Sequence, residues 1–264
     1  MSKTIFQSLA EIEANQETAA LATIVRSRGS TPRHGASKIL VYEDGSTLGT
    51  VGGGELERRV HAAALESMQD SKPRYLTYNM SDPSKGDPGV CGGTVEVYVE
   101  PILPDPTLLL IGAGHVGKAV VHLAKWLGFR VVVVEDNPEF CTPEHIPGAD
   151  EYLNLQMDEI AAKATINGQT FIVMATRGAD LDAVALPDLL QSKAAYIGVI
   201  GSKRRWAMAT KLLQERGIDE SAYAHVHSPI GLELQAETPE EIAVSIMAEV
   251  LMVRHEGTGE KMSA

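Results

Sequence analysis

Short apolar runs punctuated by turns dominate the first hundred residues. After an opening helix over 3–15, the runs 19–28, 39–42 and 46–51 predict strands, with Gly29 and Gly45 supplying turns. Leu56, Val60 and Ala64 then recur at helical spacing, which predicts a helix over 55–68 with Glu57, Arg58 and Glu66 facing water. The runs 74–78 and 94–99 predict two further strands, the second alternating Val95, Val97 and Val99 with polar residues. Pro101, Pro104 and Pro106 make a stiff connector. The expected domain boundary falls there, between 1–103 and 104–264.

Beyond the prolines, strands and helices alternate. Strands are expected at 108–111, 131–134, 151–153, 171–175 and 196–200. A helix burying Val116, Val120, Leu123 and Leu127 should end at Gly128. Another, capped by Ser202, carries Trp206, Ala209, Leu212 and Leu213. The last starts at Thr238, where Pro239 suits the first helical position and Glu241 completes a capping box. Its apolar stripe is Ile242, Ile246 and Val250. This pattern predicts an α/β protein: a C-terminal Rossmann-like doubly wound parallel sheet preceded by a smaller N-terminal α+β domain.

The strand at 108–111 runs into Gly112-Ala113-Gly114-His115-Val116-Gly117, a Gly-x-Gly-x-x-Gly turn in its strand–helix context. Gly112 permits the tight turn, Gly114 lets a phosphate approach the backbone, and Gly117 lets helix and strand pack closely. Glu135 and Asp136 end the next strand, where an acid that binds a ribose diol is expected. The same residues also suit a purely structural turn followed by an exposed acid. His115 is either a ligand contact or a solvent-facing residue at the helix start.

Three further segments admit a ligand or a structural reading. Lys203, Arg204 and Arg205 put three cations in a first helical turn, opposing the macrodipole by about 0.3–1 kcal/mol each. A phosphate near Ser202 would remove that conflict; a solvated basic turn is the alternative. Gly52-Gly53-Gly54 can converge amides on an anion or form a tight turn, and Arg33 in the loop after Gly29 is a phosphate fork or a surface residue. The acids of the Thr176–Asp182 segment bind a ligand or cap the next helix. Cys91, flanked by Val90 and Gly92, reads as a small residue at a strand entrance, with no adjoining cation to lower its pKa. Cys141 has no evident role.

Composition narrows the class. The 264 residues are 44% apolar and 22% charged, with a formal charge of −12 that opposes nucleic acid and anionic membranes. No apolar run has the length of a membrane span. Glu11, Glu13 and Glu17 stand where a signal peptide would be apolar. Two cysteines make no disulfide framework. The expectation is a cytoplasmic protein with reduced thiols and no zinc-type ligand spacing.

Taken in order, these segments resemble the XdhC/CoxI family, accessory proteins of molybdenum hydroxylases. The resemblance runs through Gly29-Ser30-Thr31-Pro32-Arg33, Gly49-Thr50-Val51-Gly52-Gly53-Gly54 with Glu57, and Cys91-Gly92-Gly93. It continues through Gly112–Gly117, Gly201-Ser202-Lys203, Pro229-Ile230-Gly231-Leu232, and Thr238-Pro239-Glu240-Glu241. It implies a carrier of molybdenum cofactor (molybdopterin) that protects the cofactor during sulfuration by a cysteine desulfurase and aids its insertion into a xanthine dehydrogenase-type hydroxylase. A homodimer is expected, and no turnover chemistry is required. Cys91 matches the family's cysteine, so the resemblance implies a soft contact to molybdenum or its sulfur. Gly52, Gly53, Gly54, Lys203 and Arg204 become implied holders of pterin and phosphate in a cleft between the two halves. One departure stands out: the family usually has Thr-His after the fourth strand, and here Thr176 is followed by Arg177, with Asp182 retained. Arg177 favours an anionic group there.

Two other functions fit the residues. An NAD(P)-dependent oxidoreductase is permitted by the glycine fingerprint, though no convincing proton donor accompanies it. An interaction scaffold with a vestigial nucleotide fold is the other.

Overall fold

Thr4 opens the first helix, α1 (Ile5–Ala14): its hydroxyl accepts from the Gln7 amide, and the Gln7 side chain returns to the Thr4 amide. The computed structural model describes residues 3–30, 35–80, 88 and 92–263. It divides into two units, Met1–Pro104 and Asp105–Ala264.

In the first unit, β1 (Ala19–Arg28), β2 (Lys38–Tyr42), β3 (Thr47–Gly49), β4 (Arg74–Asn79) and β5 (Thr94–Ile102) form an antiparallel sheet in the order β3-β2-β1-β5-β4. Period-2 patterning puts Ala20, Ala22 and Ile24 of β1 and Val95, Val97 and Val99 of β5 on one face. Leu56, Val60 and Ala64 of helix α2 (Gly54–Asp70) pack onto that face. The third strand is shorter than the sequence suggests, because Thr50 to Gly53 leave the sheet to build the entry to α2.

The second unit carries β6 (Thr107–Ile111), β7 (Arg130–Glu135), β8 (Glu151–Asn154), β9 (Thr170–Met174) and β10 (Tyr196–Val199), all parallel, in the order β10-β9-β6-β7-β8. This is the doubly wound Rossmann order. Every residue of β6 is buried, since both faces are covered. Leu108 and Leu110 pack with Val120, Val121 and Ala124 of α3 (His115–Trp126) and Ile246 and Val250 of α8 (Pro239–Arg254). Leu109 and Ile111 pack with Ala183 and Leu186 of α5 (Ala179–Leu189). Each of the buried leucines, isoleucines and valines contributes about 1.5–3 kcal/mol by leaving water. The stripe of α3 is wider than expected: Val121 and Ala124 are fully buried while Leu123 and Leu127 are only partly so, because α3 packs against both the sheet and α8. The remaining helices are α4 (Ile160–Lys163), α6 (Lys203–Glu215) and α7 (Glu220–Tyr223). Ser202 caps α6, and Thr238 with Glu241 forms the reciprocal cap of α8.

Candidate functional site

The glycine fingerprint resolves into two packing positions and one open one. Gly112 has φ +109°, and a Cβ there would collide with the Ala175 carbonyl oxygen. A Cβ on Gly117 would collide in the same way with the Gly112 carbonyl oxygen. Nothing lies within 4 Å of a Cβ placed on Gly114, the N-cap of α3, which carries no side-chain cap. The first amides of α3 thus keep the positive end of the helix dipole available to an anion.

That turn floors a crevice of about 510 Å³ at the carboxyl edge of the sheet. It sits where β6 separates β7 from β9, the switch point at which ligands of open α/β sheets bind. Asp136, Phe140, Met157, Thr176, Arg177 and Leu181 are among its walls.

Both expected ribose acids have partners within the chain. Glu135 is buried; its carboxylate accepts from the Ala113 amide at 2.8 Å and the Asn137 amide at 3.1 Å, fastening the glycine turn to β7. Asp136 accepts from both terminal nitrogens of Arg177, each at 2.7 Å. The guanidinium holds the Asp136 carboxyl at about 2, below the usual range. Arg177 is the only cation lining the crevice among the described residues. Two more groups meet here without any periodic or motif signal to announce them. His145 reaches the Ala113 carbonyl through Nε2 at 3.0 Å and stacks on Phe140, with ring centroids 4.5 Å apart.

Asp182 neither caps a helix nor faces a ligand. It is fully buried and accepts from Thr176 Oγ1 at 2.5 Å and from Arg205 Nη2 at 2.7 Å and Nε at 3.1 Å. Burial pushes its pKa up against the pull of Thr176 and Arg205. Gly178 is the N-cap of α5 instead. Of the three expected cations, Arg205 is therefore turned inward. Lys203 and Arg204 are exposed, make no ion pair among the described residues and do not line the crevice. The Ser202 hydroxyl accepts from the Arg205 amide at 3.2 Å, so this helix start supplies its own cap.

The Gly52-Gly53-Gly54 loop also turns its amides inward. Glu57, expected to face water, folds back to accept from the Val51 and Gly53 amides, each at 3.1 Å, and from the Thr50 hydroxyl. The Gly52 amide donates to Thr50 Oγ1. Burial raises the Glu57 pKa, but Thr50 and the loop amides outweigh it and the net shift is downward. A carboxylate of this chain stands where an external anion was expected. His115 is exposed and borders a different groove, with Lys118, His122 and Pro239, between α3 and α8. Cys91 and Arg33 lie outside the described residues. Burial raises the Cys141 thiol pKa, which keeps it protonated.

A second buried network went unforeseen. Glu249 accepts from the Tyr196 hydroxyl and the Gly231 amide, each at 2.6 Å, and meets His227 Nδ1 at 3.0 Å. It ties the segment after β10 to α8.

A Rossmann unit of this build, preceded in the chain by an antiparallel unit with a carboxylate-filled glycine loop, has close counterparts. Residues 108–250 match the XdhC Rossmann domain, and residues 12–79 match the XdhC and CoxI family. The chain belongs to the XdhC family. It is 37% identical over 260 residues to the uncharacterized protein YqeB of Escherichia coli (strain K12), covering 97% of this chain and 47% of that protein. It is 32% identical over 161 residues to a probable xanthine dehydrogenase subunit of Bacillus subtilis (strain 168), covering 61% of this chain and 47% of that protein. The molybdenum cofactor insertion chaperone PaoD of Escherichia coli (strain K12) is 23% identical, with 96% of this chain and 88% of that protein covered. The chain spans about half the length of the first two relatives. A crystal structure of a xanthine dehydrogenase from Bacillus halodurans shares the fold, with a TM-score of 0.52, 24% identity, and 99% and 98% of the two chains covered. Among the described residues no helix is long and apolar enough to cross a membrane.

Proposed function

We propose that this chain carries molybdenum cofactor in the crevice at the carboxyl edge of its parallel sheet and serves the maturation of a xanthine dehydrogenase-type hydroxylase. One observation carries the reading: the uncapped start of α3 borders the crevice beside an unobstructed Gly114. A phosphate fits there, because main-chain amides and a helix dipole act together. The volume of about 510 Å³ lies in the range of small-molecule sites. The names borne by PaoD and the Bacillus subtilis relative support the cofactor and the client class.

The residues of this chain bind, orient and shield; the molybdenum and its terminal sulfur supply the redox chemistry once housed in the client enzyme. Protection during sulfuration by a cysteine desulfurase, and insertion from a homodimer, complete the reading. The family resemblance implies Cys91, which lies outside the described residues, as a soft contact to the metal or its sulfur.

The NAD(P) oxidoreductase reading is favoured by the fingerprint and the strand order. Against it, the buried Glu135 carboxylate is already committed to the Ala113 and Asn137 amides. Calorimetric titration of the full chain with molybdenum cofactor, NAD(H) and NADP(H) separates the two. Cofactor binding with weak or no nicotinamide binding is expected; tight nicotinamide binding without cofactor binding overturns the carrier. Cys91→Ala should weaken cofactor retention, and unchanged retention removes Cys91 from the scheme.

A further inference from the structure

The ion pair at the crevice mouth has an asymmetry that bears on what the crevice reads. Asp136 follows β7 and Arg177 stands three residues after Met174, the last residue of β9, so the pair joins the strand ends on either side of β6. The Arg177 side chain is 66% exposed, whereas that of Asp136 is 13% exposed. Arg177 therefore has solvent beside it when it leaves the pair, and the two hydrogen bonds given up must be replaced by the ligand. Asp136 cannot be left alone there, because a sheltered carboxylate without a donor is costly. A ligand that releases Arg177 must bring two adjacent N–H groups for the carboxylate and an acceptor for the freed guanidinium. Phe140, Met157 and Leu181 provide apolar walls for a flat ring beside this pair.

We propose that Asp136 and Arg177 read the 2-amino-4-oxopyrimidine edge of a pterin ring. Asp136 accepts from the ring N3–H and the exocyclic amine, and Arg177 donates to the 4-oxo group. Adenine does not match, since its edge sets a ring nitrogen lone pair against the carboxylate. Guanine shares the edge, so pterin and guanine nucleotide are the two sources to be told apart. The inference rests on the carrier reading above and assigns one end of the same crevice. Arg177 pairing keeps Asp136 ionised in the free protein at any pH used for binding.

The test is a fluorescence titration of the full chain with 6-hydroxymethylpterin and with 6-hydroxymethyl-lumazine, in which an oxo group replaces the amine. The wild type should prefer pterin by about tenfold or more, the discrimination of one bidentate edge. Asp136→Asn should reverse the preference, because a carboxamide accepts from N3–H and donates to the lumazine oxygen. Gain of lumazine binding shows that the variant is folded. Equal affinity of the wild type for the two rings, or an unchanged ratio in Asp136→Asn, overturns the proposal. GMP binding more tightly than the pterin overturns the pterin assignment in favour of a guanine nucleotide. If molybdenum cofactor binds but the rings are not distinguished, only the edge assignment falls. If the rings are distinguished and the cofactor does not bind, only the carrier reading falls.

Discussion

Removing the Arg205 guanidinium is the sharpest probe of the second unit. Arg205→Met keeps much of the apolar stem while deleting two of the three hydrogen bonds received by the fully buried Asp182. Breaking a buried pair from one side costs about 3–5 kcal/mol. The carboxylate can escape part of that cost by taking a proton. From an unfolded value near 3.9, protonation at pH 7 costs about 4 kcal/mol, at about 1.36 kcal/mol per unit. At pH 5 the same route costs about 1.5 kcal/mol. The destabilisation should therefore be about 3–4 kcal/mol at pH 7 and at least halved at pH 5. The sign agrees with linkage: an acid whose folded pKa is raised leaves the native state holding more protons, so stability falls as pH rises. Urea unfolding followed by tryptophan fluorescence measures this directly. Both tryptophans, Trp126 and Trp206, lie in the second unit, and Trp206 packs edge-on against Tyr223 at 6.0 Å. A loss below about 1 kcal/mol at pH 7, or equal losses at both pH values, would refute the reasoning.

Other outcomes follow from the same structure. Gly114→Ala should lower cofactor affinity while leaving the thermal midpoint nearly unchanged, whereas Gly117→Ala should destabilise the unit outright because its Cβ meets the Gly112 oxygen; binding and melting curves compared side by side decide it. Glu57→Ala should strand the Val51 and Gly53 amides at a cost of about 1–3 kcal/mol, read as faster hydrogen exchange at those amides; unchanged exchange contradicts the inward-turned loop. Burial raises the Glu249 carboxyl, but His227, Tyr196 and the Gly231 amide outweigh it and the folded value is depressed. Its stabilisation is thus complete above its unfolded value near 4.3 and fades as pH falls through the folded one. Glu249→Gln should therefore flatten the acid limb of stability against pH, and parallel limbs for wild type and variant would count against the network.

Elements with a rhythm were legible. Strands with uniform or alternating burial, such as β6 and β5, announce themselves, and so do helices with local caps such as Thr238 with Glu241. Helix α5 did not, because its buried Ala179, Ala183, Ala185, Leu186 and Leu189 leave little polar face and Pro187 sits inside it. The site was legible in part. Gly112, Gly114 and Gly117 act locally, so a short motif predicts them. Partners could not be read in the same way: Asp136 and Arg177 are 41 residues apart, Ala113 and Glu135 22, and Asp182 and Arg205 23. Charge alone made Lys203, Arg204 and Arg205 equivalent; only burial separates the one turned inward from the two in solvent.

Strand β5 is the keystone of the first sheet, lying between β1 and β4 and giving Val95, Val97 and Val99 to the face that α2 covers. During synthesis β1, β2 and β3 can zip together as they emerge, but β4 has no neighbour until β5 arrives. A fragment stopping short of residue 94 would bare one edge of β1 and leave α2 three valines poorer, a combination prone to clumping. Anyone dividing the protein for study should cut after Pro104, not after α2.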